Sequence, residues 1–183
     1  LYVLAGAPRK RSAALVEYFA TYATAAPEAP PTSCPDTERL LRALGLPAAS
    51  VRNRVRLCRR DEEADEELLR VIDSARQRLL LSVFSFEADA AGERILAAMR
   101  ARAAAGVRVC MLVDDYGSLN LSAPSLQALR AAGGHVARYR PRVHAGSLRG
   151  AFNYRNHRKM VIADGAEAWV GGRNLALKYL VTA

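Results

Sequence analysis

One stretch, Asn156 to Tyr179 (NHRKMVIADGAEAWVGGRNLALKY), gathers residue types suited to phosphate chemistry. His157 offers a nucleophile and Lys159, two residues on, a compact cation; Asp164, the pair Gly171 and Gly172, and Asn174 complete the set. Met160, Val161 and Ile162 make residues 157–163 read as a strand, and side chains two apart share a strand face. His157 and Lys159 therefore project together, with Arg158 pointing the other way. Asp164-Gly165 is a two-residue hairpin signal, so residues 166–170 are expected to return as the partner strand, with Trp169 packing on one face. Gly171-Gly172, lacking Cβ atoms, predicts a tight turn at which the backbone can approach a ligand closely. Asn174 stands where a helix over 175–180 can begin, and helix N-termini present N–H groups to anions. Imidazole, ammonium, carboxamide and N–H donors are then expected to converge on one phosphate.

The arrangement H-x-K-x4-D followed by G-G-x-N, carried by His157, Lys159, Asp164, Gly171, Gly172 and Asn174, closely resembles the signature of the phospholipase D superfamily. The wording RNHRKMVIADG and VGGRN is most similar to the bacterial cardiolipin synthase branch. One position departs from many members, the nucleases especially: Gly172 stands where they carry serine, so a hydroxyl contact to phosphate is absent. The resemblance implies two such motifs at one site. One histidine attacks phosphorus to form a phosphohistidine; the other protonates the leaving alcohol, then activates water or an acceptor alcohol. Lysines and asparagines hold the non-bridging oxygens, where charge builds up. It further implies catalytic roles for His157, Lys159, Asn174 and Asp164, with Gly171, Gly172, Arg155 and Arg158 contacting substrate. Asp164, at a hairpin corner, is expected to support rather than react. No metal or cofactor is expected.

The remainder of the chain must position these groups. Strands and helices alternate: helix over 61–77, buried strand over 79–86, helix over 89–105 ended by Gly106, buried strand over 107–115, short helix over 124–132, strand over 135–140. This alternation predicts an α/β domain with a mostly parallel sheet flanked by helices, and the resemblance makes it a phospholipase D-like fold. Ligands of such sheets gather at the carboxyl ends of strands, which brings the corners near Glu87 and Asp114–Ser118 beside the site. Asp114 and Asp115 are read there as cap or turn residues. VRNRVRLC (51–58) has the alternation of an edge strand.

Residues 1–50 read as a separate helical extension ending in a proline-rich linker, and 51–183 as the α/β domain. Leu15, Tyr18, Phe19 and Tyr22 fall on one helix face, which suits packing on a domain or lying on anionic lipid. Asp36 is placed to cap a short helix ending near Gly45. The acidic run at 61–67 reads as a solvated helix start rather than a metal site.

A formal net charge of +9 favours an anionic partner: phospholipid, nucleic acid or a phosphorylated small molecule. Of 27 basic residues only Lys10, Lys159 and Lys178 are lysine, so a lysine between Arg155, Arg158 and the strand goes against the local habit. From Tyr116 to Ala163 there is no Asp or Glu, while arginines recur. The three cysteines, Cys34, Cys58 and Cys110, have neither disulfide-framework nor zinc spacing. His135 and His144 lack a lysine two residues on, so the chain holds a single H-x-K. No run is long enough to span a bilayer, and peripheral membrane contact is the form membrane association would take. The compartment is left open.

The resemblance makes a phospholipid substrate the leading expectation, with a nuclease of the same superfamily and a non-catalytic phosphate-binding half as alternatives. The second motif is expected from a C-terminal half outside this chain, since 183 residues stop soon after the motif; a homodimer is the alternative source.

Overall fold

The structure, a computed structural model, describes residues 35–44, 53–139 and 155–180. The chain divides into two units, Leu1–Leu57 and Cys58–Ala183. In the first, helix α1 (Pro35–Ala43) buries none of its residues and carries the ion pairs Asp36–Arg39 and Glu38–Arg42. Asp36 lies within its first turn, where a carboxylate suits the helix dipole, rather than ahead of it as a cap. The aromatic stripe Leu15–Tyr22 lies outside the described residues. The edge strand expected near 51–58 is not formed over 53–58. Val55 and Leu57 are exposed there.

The second unit is built on one mixed sheet. In chain order it runs α2 (Asp61–Ser74), β1 (Arg78–Val83), α3 (Ala90–Ala104), β2 (Arg108–Asp114), α4 (Ala123–Ala131), β3 (His135–Tyr139), β4 (Lys159–Ala163), β5 (Glu167–Val170) and a 3-10 turn (Leu177–Tyr179). The strand order is β3-β2-β1-β4-β5. β1, β2 and β3 pair in parallel; β4 runs antiparallel to both β1 and β5. Four strands thus point one way and β4 alone runs against them.

Strand alternation divides the sheet into two faces. Leu79, Leu81, Val83, Val109, Met111, Val113, Val161 and Ala163 are buried against α2, α3 and α4, whose Leu68, Ile72, Ile95, Leu96, Met99 and Leu129 complete the core. Asp61, Glu62 and Glu63 stabilise the start of α2 through the dipole, and the Asp89 carboxylate caps α3 by accepting the Gly92 N–H at 3.0 Å. The opposite face carries Leu80, Cys110, Leu112, Met160 and Ile162, which line an open groove. Among the described residues no helix covers it. Trp169 on β5 closes the core at its edge and donates its indole N–H to the Ala64 carbonyl at 3.0 Å.

The β4–β5 connection turns on Asp164 and Gly165, both with left-handed φ (55° and 72°). The turn is centred on the Asp-Gly pair, as expected, and closed by the Ala166 N–H donating to the Ala163 carbonyl at 3.0 Å, but Ala163 pairs with Glu167, so three residues rather than two separate the strands and Ala166 stays outside β5.

Candidate active site

Because β4 is antiparallel to β1, its first residues lie at the carboxyl end of the parallel strands, where the backbone leaves β1 and β2. His157 enters just ahead of β4 and Lys159 opens it, paired with Val83. The next residue of the β1 exit, Phe84, organises both. The His157 imidazole stacks on the Phe84 ring with centroids 4.1 Å apart and planes 11° apart. Lys159 Nζ lies 5.6 Å from the centroid of the same ring and donates to the His157 carbonyl at 2.9 Å. Partial burial lowers the Lys159 pKa from its ordinary value, since desolvation disfavours the ammonium. His157 itself is exposed.

Asn174 is tied to the same exit one residue on. Its Oδ1 accepts the Ser85 N–H at 3.2 Å, which leaves the NH2 end as the donor. The helix expected over 175–180 does not form. Leu175 instead bridges Phe86 in parallel, accepting from the Glu87 N–H at 3.1 Å and donating to the Ser85 carbonyl at 3.0 Å. The strand-like pairing takes the Leu175 carbonyl that would otherwise accept the first intrahelical N–H, and only the 3-10 turn follows. Asn174 is therefore held by a backbone contact rather than placed as a helix cap.

The glycine pair also differs from expectation. Neither Gly171 nor Gly172 has a left-handed φ, so no glycine-dependent turn is made. Gly171 donates its N–H to the Lys159 carbonyl at 3.1 Å, and a Cβ there would press on the Trp169 ring at 3.0 Å. Gly172 faces open space.

Asp164 is not brought to this end. It sits past the last residue of β4, and its carboxylate accepts the N–H groups of Arg76, Gln77 and Arg78 at 2.8, 2.8 and 2.7 Å. These bonds hold its pKa below the ordinary carboxylate value, the Arg78 bond contributing most. Arg158 points to the open sheet face beside Leu80 and Met160, as strand alternation requires, away from Lys159. Arg155 stays near the motif, with its guanidinium 3.5 Å from Asp114 and 5.3 Å from the Tyr116 ring centroid.

Two contributors were not singled out by sequence. Phe84 carried no motif signal, being one apolar residue in an apolar run. Asp114 was read as a turn residue. It is fully buried, accepts the N–H groups of Tyr116 (3.0 Å), Gly117 (3.2 Å) and Asn156 (3.1 Å), and so ties the β2 corner to the residue before His157.

This site sits within a stretch that matches a known family. The family model described as "Cardiolipin synthase, PLD-like domain" matches residues 68–182. The chain belongs to this family of phospholipase D-like domains. It is 39% identical over 129 residues to cardiolipin synthase A of Pseudomonas aeruginosa, covering 70% of this chain and 26% of that protein. It is 38% identical over 116 residues to the major cardiolipin synthase ClsA of Bacillus subtilis, covering 63% of this chain and 24% of that protein. The chain thus spans about a quarter of the length of these relatives. In fold it is similar to Nuc of Salmonella typhimurium, a phospholipase D family member (TM-score 0.51, 22% identity, 68% of this chain and 73% of that one). NucT of Helicobacter pylori is similar too (TM-score 0.50, 20% identity, 65% of this chain and 71% of that one). The sheet with flanking helices is therefore the phospholipase D-like fold expected from the sequence.

Proposed function

We infer that this domain carries one half of a phosphodiester-transfer site acting on phospholipid, with His157 as the attacking group. The observation that carries the reading is the grouping of His157 and Lys159 on the Phe84 ring, with Asn174 fixed one residue away, at the carboxyl end of the sheet. Membership of the cardiolipin synthase-type family supports the lipid substrate over nucleic acid.

In this reading an imidazole nitrogen of His157 attacks phosphorus and forms a P–N bond while the ester P–O bond to the leaving alcohol breaks. The leaving oxygen takes a proton from a second histidine. That histidine then accepts the proton of an incoming alcohol or water, whose oxygen attacks phosphorus, breaks the P–N bond and frees His157. Lys159 and the Asn174 NH2 group donate to the non-bridging oxygens as charge develops. Gly171 and Gly172 leave the β5 exit unobstructed for substrate, and Arg155 adds positive charge at the rim. Arg158, on the other sheet face, stands outside this shell, and Asp164 acts by holding the far end of β4.

One histidine cannot stand on both sides of phosphorus, so the second H-x-K comes from a further polypeptide segment or a second copy of the domain. Product analysis on phosphatidylglycerol vesicles with a second H-x-K half supplied, run beside plasmid nicking, tests the reading. Lipid turnover that depends on His157 supports it; nicking without lipid turnover makes the protein a nuclease instead.

A further inference from the structure

We propose that Phe84 is the positioning residue for His157, and that the corner Asp114–Ser118 sets its ring; this rests on the reading of His157 as the attacking group. A histidine on an exposed chain segment turns freely about its side-chain torsions, the ring torsion being especially broad. Here the imidazole plane is fixed by lying parallel to the Phe84 ring, 4.1 Å away. The lone pair of an imidazole nitrogen lies in the ring plane, so stacking on the flat face fixes direction and leaves the attacking atom open. Lys159 Nζ borders the same ring, so one aromatic surface places nucleophile and cation together.

Phe84 is itself held. Its carbonyl accepts the Ser118 hydroxyl at 3.0 Å, and the same Oγ accepts the Phe86 N–H at 3.1 Å. Ser118 is fully buried and so clamps the backbone on both sides of Ser85. Gly117 closes against this exit: a Cβ there would lie 2.3 Å from the Phe84 carbonyl oxygen and 3.0 Å from its ring Cδ2. Only glycine lets the corner approach so closely. Asp114 holds the N–H groups of Tyr116 and Gly117 with one carboxylate oxygen and that of Asn156 with the other. The corner thus reaches the histidine twice, through the backbone before it and through the ring beneath it. None of these residues belongs to the H-x-K pattern.

The test compares wild type, Phe84→Leu, Phe84→Tyr and Gly117→Ala by proton NMR of the histidine rings, with His157→Gln assigning the signal. Ring current should move the His157 ring protons upfield of those of exposed His135. Phe84→Leu should abolish that displacement, Gly117→Ala should reduce it, and Phe84→Tyr should keep it. On phosphatidylglycerol vesicles, Phe84→Leu should lower kcat roughly tenfold or more with KM within about twofold, since misplacement of a reacting group acts on the chemical step. Phe84→Tyr should recover most of the loss. An undisplaced His157 signal in wild type, or full turnover by a folded Phe84→Leu, overturns the proposal. Wild type inert toward every phosphodiester offered, with a second H-x-K half supplied, overturns the function read for the site; the NMR comparison then still decides whether Phe84 orients the imidazole.

Discussion

Asp114 accepts the backbone N–H of Asn156 at 3.1 Å, a bond between the end of β2 and the residue before His157. Its other oxygen accepts from Tyr116 and Gly117, so both oxygens face donors. Asp114→Asn would turn an NH2 group toward one of those donor sets. We expect it to destabilise the domain by about 1–3 kcal/mol, the cost of leaving buried donors unpaired. Urea unfolding of the two proteins checks this; equal midpoints and slopes would remove Asp114 from the scaffold.

His157→Gln should abolish turnover while leaving the unfolding free energy within about 0.5 kcal/mol of wild type, because the side chain is exposed and surface changes are usually small. Lys159→Ala should lower kcat by roughly a hundredfold or more through lost charge stabilisation. Lys159→Arg should not restore it, since a planar fork does not replace a compact ammonium. Burial lowers the Lys159 pKa, so the ammonium is lost below the ordinary 10.5, and the alkaline limb of the pH–rate profile should fall below that value too. Wild-type rates from Lys159→Ala would contradict the role.

Asp164→Asn should lower stability and leave the rate per folded molecule unchanged, because Asp164 stands at the opposite end of β4 from His157. Asparagine tolerates the left-handed φ, so the substitution removes the charge and one acceptor oxygen without straining the turn. The folded pKa of Asp164 is depressed, so its contribution is fully present above the ordinary value of 3.8 and is lost as pH falls through the folded value. The melting difference between the two proteins should therefore be constant near neutrality and vanish in acid. A difference that grows toward low pH would show the sign to be wrong.

Divalent metal should be dispensable, because the motif supplies its own nucleophile and cation. Turnover in excess EDTA should match turnover without it. Activity that disappears in EDTA and returns with one specific ion bound to this chain would rule out the metal-free reading.

Much of the frame was readable from residue order. The Asp-Gly hairpin, the apolar runs of β1 and β2 and the i, i+2 pairing of His157 with Lys159 all depend on local rules that long-range packing did not override. The expected helix after Asn174 failed because Leu175 finds a strand partner in Phe86, 89 positions earlier, and no local propensity encodes that. The 53–58 segment failed for the converse reason: alternation alone makes no strand where nothing pairs. Phe84 and Asp114 were hidden because their roles arise only when β4 lies beside β1. Arg158 counted as a substrate contact by proximity in sequence, although its strand position already sent it to the other face.

The hydrogen bonds from Arg76, Gln77 and Arg78 to Asp164 join positions as much as 88 residues apart. β1 and β2 can pair as soon as the helix between them is made, but β4 must insert beside β1 after the intervening chain has been synthesised, and such late, distant pairing is slow. Phe84 would wait without its imidazole until then. We expect the nucleophile to be assembled in the final folding step, so that a nascent or stalled chain holds a partly built sheet with no competence toward phosphate.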